Sequence, residues 1–307
     1  MNSAADPGTG ICDASECTLR EAIKDPTSTE VRFAPGFTGP ITLVKSLVID
    51  RPLTITGPSA GVIIRRRPAG PAFRILRVLA GGNATLSNIT LRGGQADQGA
   101  GGIANYGRLA LIRVRVQQNA PAGIHNDGTL TLTNSEVVGN AAGGITGVPH
   151  ATTTVTGSEI SRNGGGIANR GGTLTMARSS VSFNGGAGVY QDRGNTTLDH
   201  MKIIGNGGRG LVVLSGGAEM TVTHSTIARN SAGGIYNWRA RLRLSHSTVA
   251  ENTTPGNGGG ILCGTAPRVS VRVWITNSTI SGNSAAKGGG ILCKDRLYGP
   301  VRIYLVN

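Results

Sequence analysis

Short segments in which apolar and polar residues alternate recur along the whole chain. Leu130 and Leu132 alternate with threonines, and Val137 follows two polar residues in the next segment. This alternation has the two-residue period of a β-strand with one buried face. Glycine, asparagine and serine interrupt the segments every few residues, and these residue types favour tight turns. The pattern therefore predicts short strands joined by turns, without the apolar stripe of a helix.

The strand segments belong to a long series of repeats. Each unit opens with a glycine and an aliphatic residue, and these pairs lie 21, 21, 22, 22, 22, 24, 26 and 30 residues apart. An aliphatic residue three positions before an asparagine closes each unit at a similar spacing. Such a period indicates a solenoid, because one unit cannot bury its apolar face alone. Three short strands and three turns per unit predict an all-β fold, a right-handed parallel β-helix of about twelve coils. The opening pairs are Gly102-Ile103, Gly123-Ile124, Gly144-Ile145, Gly166-Ile167, Gly188-Val189, Gly210-Leu211, Gly234-Ile235, Gly260-Ile261 and Gly290-Ile291.

The phase of the strand after each opening glycine predicts which side chains point inward. The aliphatic residue points into the core, the next residue points out, and the following one points in again. Asn105, Asn126, Asn169 and Asn237 occupy this second inward position. We expect them to be buried and to form hydrogen-bonded ladders between coils.

The ends of the chain differ from the regular repeats. Residues 1–30 are predicted to form an N-terminal segment and cap, and residues 31–307 to form one elongated β-helix. Thr18 and Glu21 have the spacing of a capping box at the start of a short helix, which would cover the first coil. The last repeat is expected to stop in mid-coil at Asn307 and to expose strand edges that could pair end to end with another copy.

The segment from Cys12 to Ile23 resembles the CSLREA motif that opens many secreted or surface-anchored bacterial β-helix proteins of the pectate-lyase-like superfold. Thr18 replaces the usual serine, and residues 24–26 replace the common asparagine-alanine continuation. The resemblance implies export to the cell surface or the medium, and a β-helix. It does not imply one activity.

The charge of the chain predicts an anionic partner. The net charge is +14, and 25 of the 30 basic residues are arginine. This excess would attract an acidic polysaccharide, a cell-wall polymer, lipid headgroups or nucleic acid, although an arginine-favouring genome is an alternative explanation. Nucleic acid is the least expected partner, because the basic clusters lack an aromatic platform and any known nucleic-acid motif. The sequence contains no run of about 18 apolar residues, so it predicts no transmembrane segment. The clusters contain Arg113, Arg115, Arg239, Arg241 and Arg243.

The four cysteines fall into two pairs. Cys12 and Cys17 lie close together in the cap, and a disulfide is expected between them in an exported protein. Cys263 and Cys293 occupy the same inward position in successive coils, about 4.8 Å apart by strand spacing. That separation allows either a disulfide or a stack of buried thiols. Metal binding is not expected because no histidine shares their position.

The outward positions after the opening glycines predict a face rich in aromatic and charged residues. Aromatic rings cover the apolar faces of sugars, and arginine pairs with carboxylates, so this face is predicted to bind an acidic polysaccharide. The predicted substrate-binding residues are Tyr106, Asp127, Asp192, Arg193, Tyr236, Trp238 and Arg239.

The same face carries the candidate catalytic residues. In β-helix polysaccharide lyases, which the chain resembles in its predicted fold, this strand face carries the chemistry. His125 or Tyr190 could take a proton from a uronate, and Arg170 could neutralise its carboxylate. Ca²⁺ is the one cofactor considered, for a lyase only. Asp127 and Asp192 lie three coils apart, about 14 Å, which is too far for the carboxylate pair of a glycoside hydrolase.

A column of histidines occupies one turn position. Histidines in register suggest a metal site or a pH-dependent switch. Asparagine at the same position in other coils indicates turn geometry instead, so no metal site is predicted. The histidines are His200, His224 and His246, and the asparagines are Asn88, Asn134 and Asn277.

Three hypotheses about function follow from these patterns. The first is an exported protein that binds acidic polysaccharide at the cell surface or in the extracellular matrix. The second is a polysaccharide lyase that cleaves a uronate-containing polymer by β-elimination. The third is a passive structural stalk or adhesin.

Overall fold

A computed structural model describes residues 1–215, 217–264, 271–294 and 301–306. The chain divides into two compact units, Met1–Ile145 and Thr146–Asn307. Each unit winds through three parallel sheets in turn, which confirms the predicted all-β parallel β-helix. The predicted interruption of the last coil at Asn307 lies outside the described residues.

Unit 1 begins with a short helix and continues as parallel strands. Its sheet 1 has the order β1-β4-β7-β10-β13, its sheet 2 the order β2-β5-β8-β11-β14, and its sheet 3 contains β3-β6-β9-β12. The elements are α1 (Leu19–Lys24), β1 (Glu30–Arg32), β2 (Ile41–Leu43), β3 (Leu47–Ile49), β4 (Pro52–Thr56), β5 (Val62–Arg66), β6 (Leu76–Val78), β7 (Asn83–Ser87), β8 (Ile89–Arg92), β9 (Gln95–Asn105), β10 (Arg108–Ile112), β11 (Arg115–Gln117), β12 (Ala120–Asn126), β13 (Thr129–Thr133), β14 (Glu136–Val138) and β15 (Gly143–Gly147), which contains the boundary between the units.

Unit 2 has the same three kinds of sheet. Sheet 1 has the order β16-β19-β22-β25-β28-β32-β36, sheet 2 the order β17-β20-β23-β26-β29-β33, and sheet 3 the order β18-β21-β24-β27-β31-β35, and β30 pairs with β34. The strands are β16 (Thr152–Thr156), β17 (Glu159–Ser161), β18 (Ile167–Asn169), β19 (Thr173–Ala177), β20 (Ser180–Ser182), β21 (Val189–Asp192), β22 (Asn195–Asp199), β23 (Lys202–Ile204), β24 (Leu211–Leu214), β25 (Glu219–Thr223), β26 (Thr226–Ala228), β27 (Ile235–Trp238), β28 (Arg241–Ser245), β29 (Thr248–Ala250), β30 (Thr253–Asn257), β31 (Ile261–Gly264), β32 (Val271–Thr276), β33 (Thr279–Ser281), β34 (Ser284–Lys287), β35 (Ile291–Lys294) and β36 (Val301–Val306).

The core of each unit is a column of aliphatic side chains from alternate strand positions. In unit 1, Leu130 and Leu132 are fully buried, and their partners on β10 are also leucines. In unit 2, Ile235 of β27 pairs with Leu211 on one side and Ile261 on the other. Like residues therefore stack on like residues, which gives dense packing between strands about 4.8 Å apart.

Buried asparagines fix the turns that lead into sheet 3. The N–H and Nδ2 groups of Asn184 both donate to Oδ1 of Asn206, at 3.1 and 3.0 Å, and Nδ2 also donates to the carbonyl of Ile160 at 3.1 Å. The preceding residue, Phe183, has a φ of 55°, which is unfavourable for a residue other than glycine. The ladder stabilises this strained turn. In unit 2 it runs through Asn163, Asn184, Asn206, Asn230, Asn252 and Asn283.

The asparagines that were predicted to be inward are also buried. Asn105, Asn126, Asn169 and Asn237 are each at most 4% exposed, and Nδ2 of Asn105 donates to Oδ1 of Asn126 at 2.7 Å. The prediction that they are buried is confirmed, but the predicted ladder does not extend to Asn237, whose Nδ2 donates to the carbonyl of Ala240 in its own coil at 3.3 Å. The longer ladder was marked in the sequence by the asparagine that closes each unit, but its hydrogen bonds were not predicted.

The N-terminal segment contains the predicted short helix and the predicted disulfide. Thr18 and Glu21 make a capping box at the start of α1, and a disulfide joins Cys12 to Cys17. Arg20 anchors the helix through a buried ion pair in which its Nε lies 2.6 Å from Oδ1 of Asp6. Leu19, Ala22 and Ile23 of this helix are buried, and the capping role of residues 1–30 stays a prediction.

A second disulfide joins adjacent strands of sheet 3. Cys263 on β31 pairs in register with Cys293 on β35, the two Cα atoms are 4.4 Å apart, and the sulfurs are bonded. This decides between the two alternatives that the spacing allowed. Disulfides are typical of proteins in oxidising compartments.

In the described ranges, no helix has both the length and the apolar character needed to span a bilayer.

Candidate functional site

The outward side of sheet 3 in unit 2 carries a cluster of aromatic and arginine side chains, which we term the aromatic–arginine face. Strands β21, β24 and β27 position it, because alternate residues of each strand point away from the core. Tyr190 and Tyr236 flank Val212 in one row, and Asp192 and Trp238 flank Leu214 in the next. The face consists of Arg170, Tyr190, Asp192, Arg193, Arg209, Tyr236, Trp238 and Arg239.

Two aromatic rings and one arginine form the centre of this face. The ring centroids of Tyr236 and Trp238 are 6.1 Å apart in a stacked arrangement. The guanidinium of Arg209 lies over the Tyr236 ring, 5.1 Å from its centroid, which is within cation–π range. Burial lowers the pKa of Arg209, and this desolvation favours contact with an anion. Arg209 was not predicted, because it lies in a turn before β24.

Two guanidinium nitrogens on this face have no hydrogen-bond partner among the described residues. They are Nη1 of Arg209 and Nε of Arg239, and neither atom is exposed to solvent. The neighbouring Nη2 of Arg209 donates to the carbonyl of Asn257 at 3.3 Å. Both side chains are only partly buried, so a rotation about their flexible stems would present these donors to a ligand.

A glycine on the next coil makes room for the indole ring. Trp238 pairs in register with Gly264 of β31. A Cβ atom at Gly264 would lie 2.6 Å from Cε3 of Trp238 and closer still to Cζ3, so no larger residue fits beneath the ring without moving it. Gly264 therefore determines that Trp238 lies against the sheet.

Arg170, Tyr190, Asp192 and Arg193 form the other end of the face. The guanidinium of Arg170 lies 5.8 Å from the centroid of the Tyr190 ring. Asp192 accepts a hydrogen bond from the hydroxyl of Ser215 and lies 3.9 Å from Nη2 of Arg193. The exposed ion pair between Arg193 and Asp192 contributes little to stability. The carboxylate of Asp192 therefore already has two partners within the protein, Ser215 and Arg193.

Unit 1 holds the remaining predicted residues, Tyr106, His125 and Asp127. The rings of Tyr106 and His125 have centroids 6.2 Å apart. The imidazole of His125 is half-buried, and this desolvation is the main reason why its pKa is lowered. The negative charge of Asp127 opposes the shift, whereas the positive charge of Arg74 adds to it. This shift favours the neutral form of His125, which can accept a proton. Arg74 was not predicted as part of this group.

The predicted catalytic residues are divided between the units. His125 lies in unit 1, whereas Arg170 and Tyr190 lie in contact with each other in unit 2. Their catalytic role, like the binding role of the other predicted residues, stays a prediction.

One basic cluster includes an aromatic platform, contrary to the prediction. On sheet 1 of unit 2, the guanidinium of Arg243 lies 4.2 Å from the ring centroid of Trp274. Trp274 in turn stacks on Tyr304, with ring centroids 5.5 Å apart. The prediction that this cluster lacks such a platform was wrong for Arg243. The sequence did contain a pattern that indicates this platform, because Trp274 and Tyr304 occupy the same position of the last two repeats.

Potential metal ligands are concentrated in one place in the described part of the chain. Asp199, His200 and His224 form the only group there in which three or more His, Cys, Asp or Glu side chains lie close enough to share an ion. Neither Asp127 nor Asp192 belongs to it. A role for Ca²⁺, which prefers oxygen ligands, stays a hypothesis that applies to a lyase only.

Comparison with known proteins shows the fold of the chain. It is similar to the A-module of the mannuronan C-5 epimerase AlgE4 of Azotobacter vinelandii, with a TM-score of 0.58 and 17% identity over 86% of this chain and 91% of that one. It is also similar to a mutant of the periplasmic alginate epimerase AlgG, with a TM-score of 0.64 and 10% identity over 87% of this chain and 72% of that one.

A bacteriophage protein has a related architecture. Tailspike protein 3 of bacteriophage CBA120 gives a TM-score of 0.53 and 11% identity over 91% of this chain. The chain spans only 54% of that tailspike. The chain matches no protein-family model, and no curated protein sequence matches it.

Proposed function

We propose that this chain is an exported protein that binds an acidic polysaccharide through the aromatic–arginine face, at the cell surface or in the extracellular matrix. The observation that carries the proposal is a pair of unpartnered guanidinium nitrogens, one on Arg209, which lies over the Tyr236 ring, and one on Arg239, the residue after Trp238. A buried donor without a partner costs about 1–3 kcal/mol. A carboxylate on the ligand would remove that cost through a charge-assisted hydrogen bond.

The rings supply the second element of sugar recognition. Tyr236 and Trp238 present partly exposed aromatic surface next to the arginines, and such surface packs against the apolar face of a sugar ring. A polymer of acidic sugars offers carboxylates and apolar ring faces together. A neutral polysaccharide would leave the guanidinium groups without anionic partners.

The overall charge supports the same class of ligand. The net charge of +14 would attract a polyanion over a distance. Binding that depends on such attraction weakens as salt is added, because ions screen exposed charges over about 8–10 Å at 0.10–0.15 M.

The similar solved structures support a polysaccharide ligand and export. Two are named for mannuronan or alginate, and AlgG is named as periplasmic. The two disulfides of this chain are consistent with an oxidising compartment.

Binding of untagged protein to immobilised alginate, with neutral dextran as the control polymer, tests the proposal. Arg209→Gln and Arg239→Asn should each weaken alginate binding by about 10- to 100-fold, the value of one charged hydrogen bond. Asparagine suits position 239, where φ is 64°. Arg241→Gln is the matched control, since Arg241 is exposed on β28 of sheet 1 and its loss changes the net charge equally.

An effect of Arg241→Gln as large as that of Arg209→Gln would mean diffuse attraction to the basic surface and would refute the proposed face. Absence of binding to alginate, heparin and pectate alike would refute the function itself and leave the structural stalk.

A second candidate function, cleavage of a uronate polymer by β-elimination, is favoured by His125. A neutral, half-buried imidazole beside Tyr106 and near Arg74 has the properties of a general base next to a positive charge. Tyr190 and Arg170 are the corresponding candidates in unit 2.

The release of unsaturated sugar from alginate and pectate, followed by ultraviolet absorbance with and without Ca²⁺, tests this candidate. His125→Asn should lower the rate by about 10²- to 10⁴-fold, the contribution of a general base, whereas exposed His150→Asn should not change it. If no polymer gives product, the lyase hypothesis is wrong and the binding proposal is unaffected.

A further inference from the structure

A carboxylate and two imidazoles converge at one turn of unit 2, away from sheet 3. Asp199 is the last residue of β22, His200 follows it, and His224 occupies the same turn position one coil later, after β25. Oδ2 of Asp199 lies 2.8 Å from Nδ1 of His200, and Oδ1 lies 3.2 Å from Nδ1 of His224. The ligand atoms of the three side chains all lie within 4.8 Å of one another.

The backbone holds these three residues in place. The N–H of His200 donates to the carbonyl of Thr223 at 3.1 Å, and that of His224 donates to the carbonyl of Ser245 at 3.2 Å. The hydroxyl of Thr223 donates to Oδ1 of Asp199 at 2.7 Å. The two imidazole rings stack with centroids 4.7 Å apart. Strand pairing and hydrogen bonds to the ligating groups are the features that preorganise a metal site.

We propose that Asp199, His200 and His224 form a binding site for one divalent transition-metal ion such as Zn²⁺. Bonds of about 2.0–2.2 Å to nitrogen and oxygen in a tetrahedral arrangement place neighbouring ligand atoms about 3.3 Å apart. Each imidazole Nδ1 lies near that distance from one carboxylate oxygen, 2.8 Å from Oδ2 for His200 and 3.2 Å from Oδ1 for His224, and one ligand atom from each residue lies within 4.8 Å of the others. Imidazole nitrogens select Zn²⁺, Ni²⁺ or Cu²⁺ over Mg²⁺ and Ca²⁺, which prefer oxygen ligands.

The column beyond these residues does not extend the site. His246 stacks on His224, with ring centroids 5.1 Å apart, but its Nε2 lies 3.2 Å from Nδ2 of Asn277. On the preceding coil, Arg178 occupies the same turn position with a φ of 47°, and its positive charge opposes cation binding there. The structure thus defines one site between the coils of His200 and His224.

The site is open to the solvent. The side chains of His200, His224 and Asp199 are 57%, 49% and 37% exposed. Three protein ligands leave a fourth position of a tetrahedral ion for water or an exogenous group, as in sites that bind a further ligand.

Isothermal titration of tag-free protein with ZnCl₂ tests this site. The wild-type chain should bind one Zn²⁺, and His200→Asn and His224→Asn should each lower the affinity by more than about 100-fold, because loss of an outer-shell partner alone costs about 10- to 100-fold. The matched control, His246→Asn, should change it less than threefold. Asparagine preserves the turn, since Asn88, Asn134 and Asn277 occupy this position with φ of 56°, 48° and 45°.

Asp199→Asn tests the carboxylate separately and should weaken binding by at least about tenfold. Circular dichroism establishes that each variant is folded. The proposal is overturned if no Zn²⁺ binds, if His246→Asn weakens binding as much as His200→Asn, or if Asp199→Asn leaves the affinity unchanged.

Discussion

Removal of one asparagine from the ladder of unit 2 should destabilise the coils on both sides of it. Asn206 is fully buried, and its Oδ1 accepts from the N–H and Nδ2 groups of Asn184 at 3.1 and 3.0 Å. Its Nδ2 donates to the carbonyl of Val181 at 3.1 Å and to Oδ1 of Asn230 at 2.9 Å. The substitution Asn206→Ala deletes all four bonds at once.

The magnitude follows from the partners that remain. The buried N–H of Asn184 loses its partner, which costs about 1–3 kcal/mol. The other three hydrogen bonds contribute about 1 kcal/mol each. The free energy of unfolding of these coils should therefore fall by about 4–6 kcal/mol. This is a large fraction of the roughly 5–15 kcal/mol that stabilises a typical folded domain.

Native-state hydrogen exchange measured by mass spectrometry is the suitable assay, because the stability of a repeat protein is distributed over its coils. Amides of β20, β23 and β26 should exchange about 10³- to 10⁴-fold faster in Asn206→Ala. Asn195→Ala is the control, since Asn195 is exposed on β22 of the same unit, and its effect should stay within about 0.5 kcal/mol. If exchange in the two variants differs by less than tenfold, the ladder does not stabilise the coils as argued.

Three further predictions concern other parts of the chain. Burial lowers the pKa of His125 below its ordinary value of 6.5. Because the unfolded chain then binds the proton more tightly, the free energy of unfolding should rise with pH up to about 6.5. An NMR titration of the folded protein that gives a pKa of 6.5 or higher would contradict this. Gly264→Ala should displace the Trp238 ring and weaken alginate binding. The control Gly217→Ala should not, because a Cβ atom there meets no atom within 4 Å. Equal alginate affinities of the two variants would show that the ring position is irrelevant to binding. The Cys263–Cys293 disulfide closes a loop of 30 residues, so its reduction should lower the free energy of unfolding by denaturant by about 3–4 kcal/mol. Mass spectrometry establishes that this bond is reduced. An unchanged unfolding midpoint would then argue against that contribution.

Local patterns in the sequence were sufficient for the fold. The alternation at Leu130 and Leu132 distinguishes inward from outward positions, since successive side chains of a strand point to opposite faces. The recurrence of glycine and asparagine at similar spacing indicates stacked coils. The capping box at Thr18 and Glu21 and the Cys12–Cys17 disulfide were predicted correctly because their partners lie close together in the chain.

The candidate sites were predicted less completely, because their partners lie in different repeats. Arg209 reaches Tyr236 from a turn of the preceding coil, and no spacing rule identifies that contact. Asp199 meets His224 in the same way. The histidine column was visible in the sequence, but the carboxylate that joins two of its members was not.

The sequence by itself determined the period, the buried face of each strand and the residues at each turn, because these depend on backbone geometry and on residues a few positions apart. The tertiary structure decided which outward side chains meet. Turn lengths vary from repeat to repeat, and a long arginine side chain can reach several neighbours. The register between strands and the packing around each guanidinium therefore determine its contacts. They decide whether an arginine covers an aromatic ring, pairs with a carboxylate or keeps an unpartnered donor.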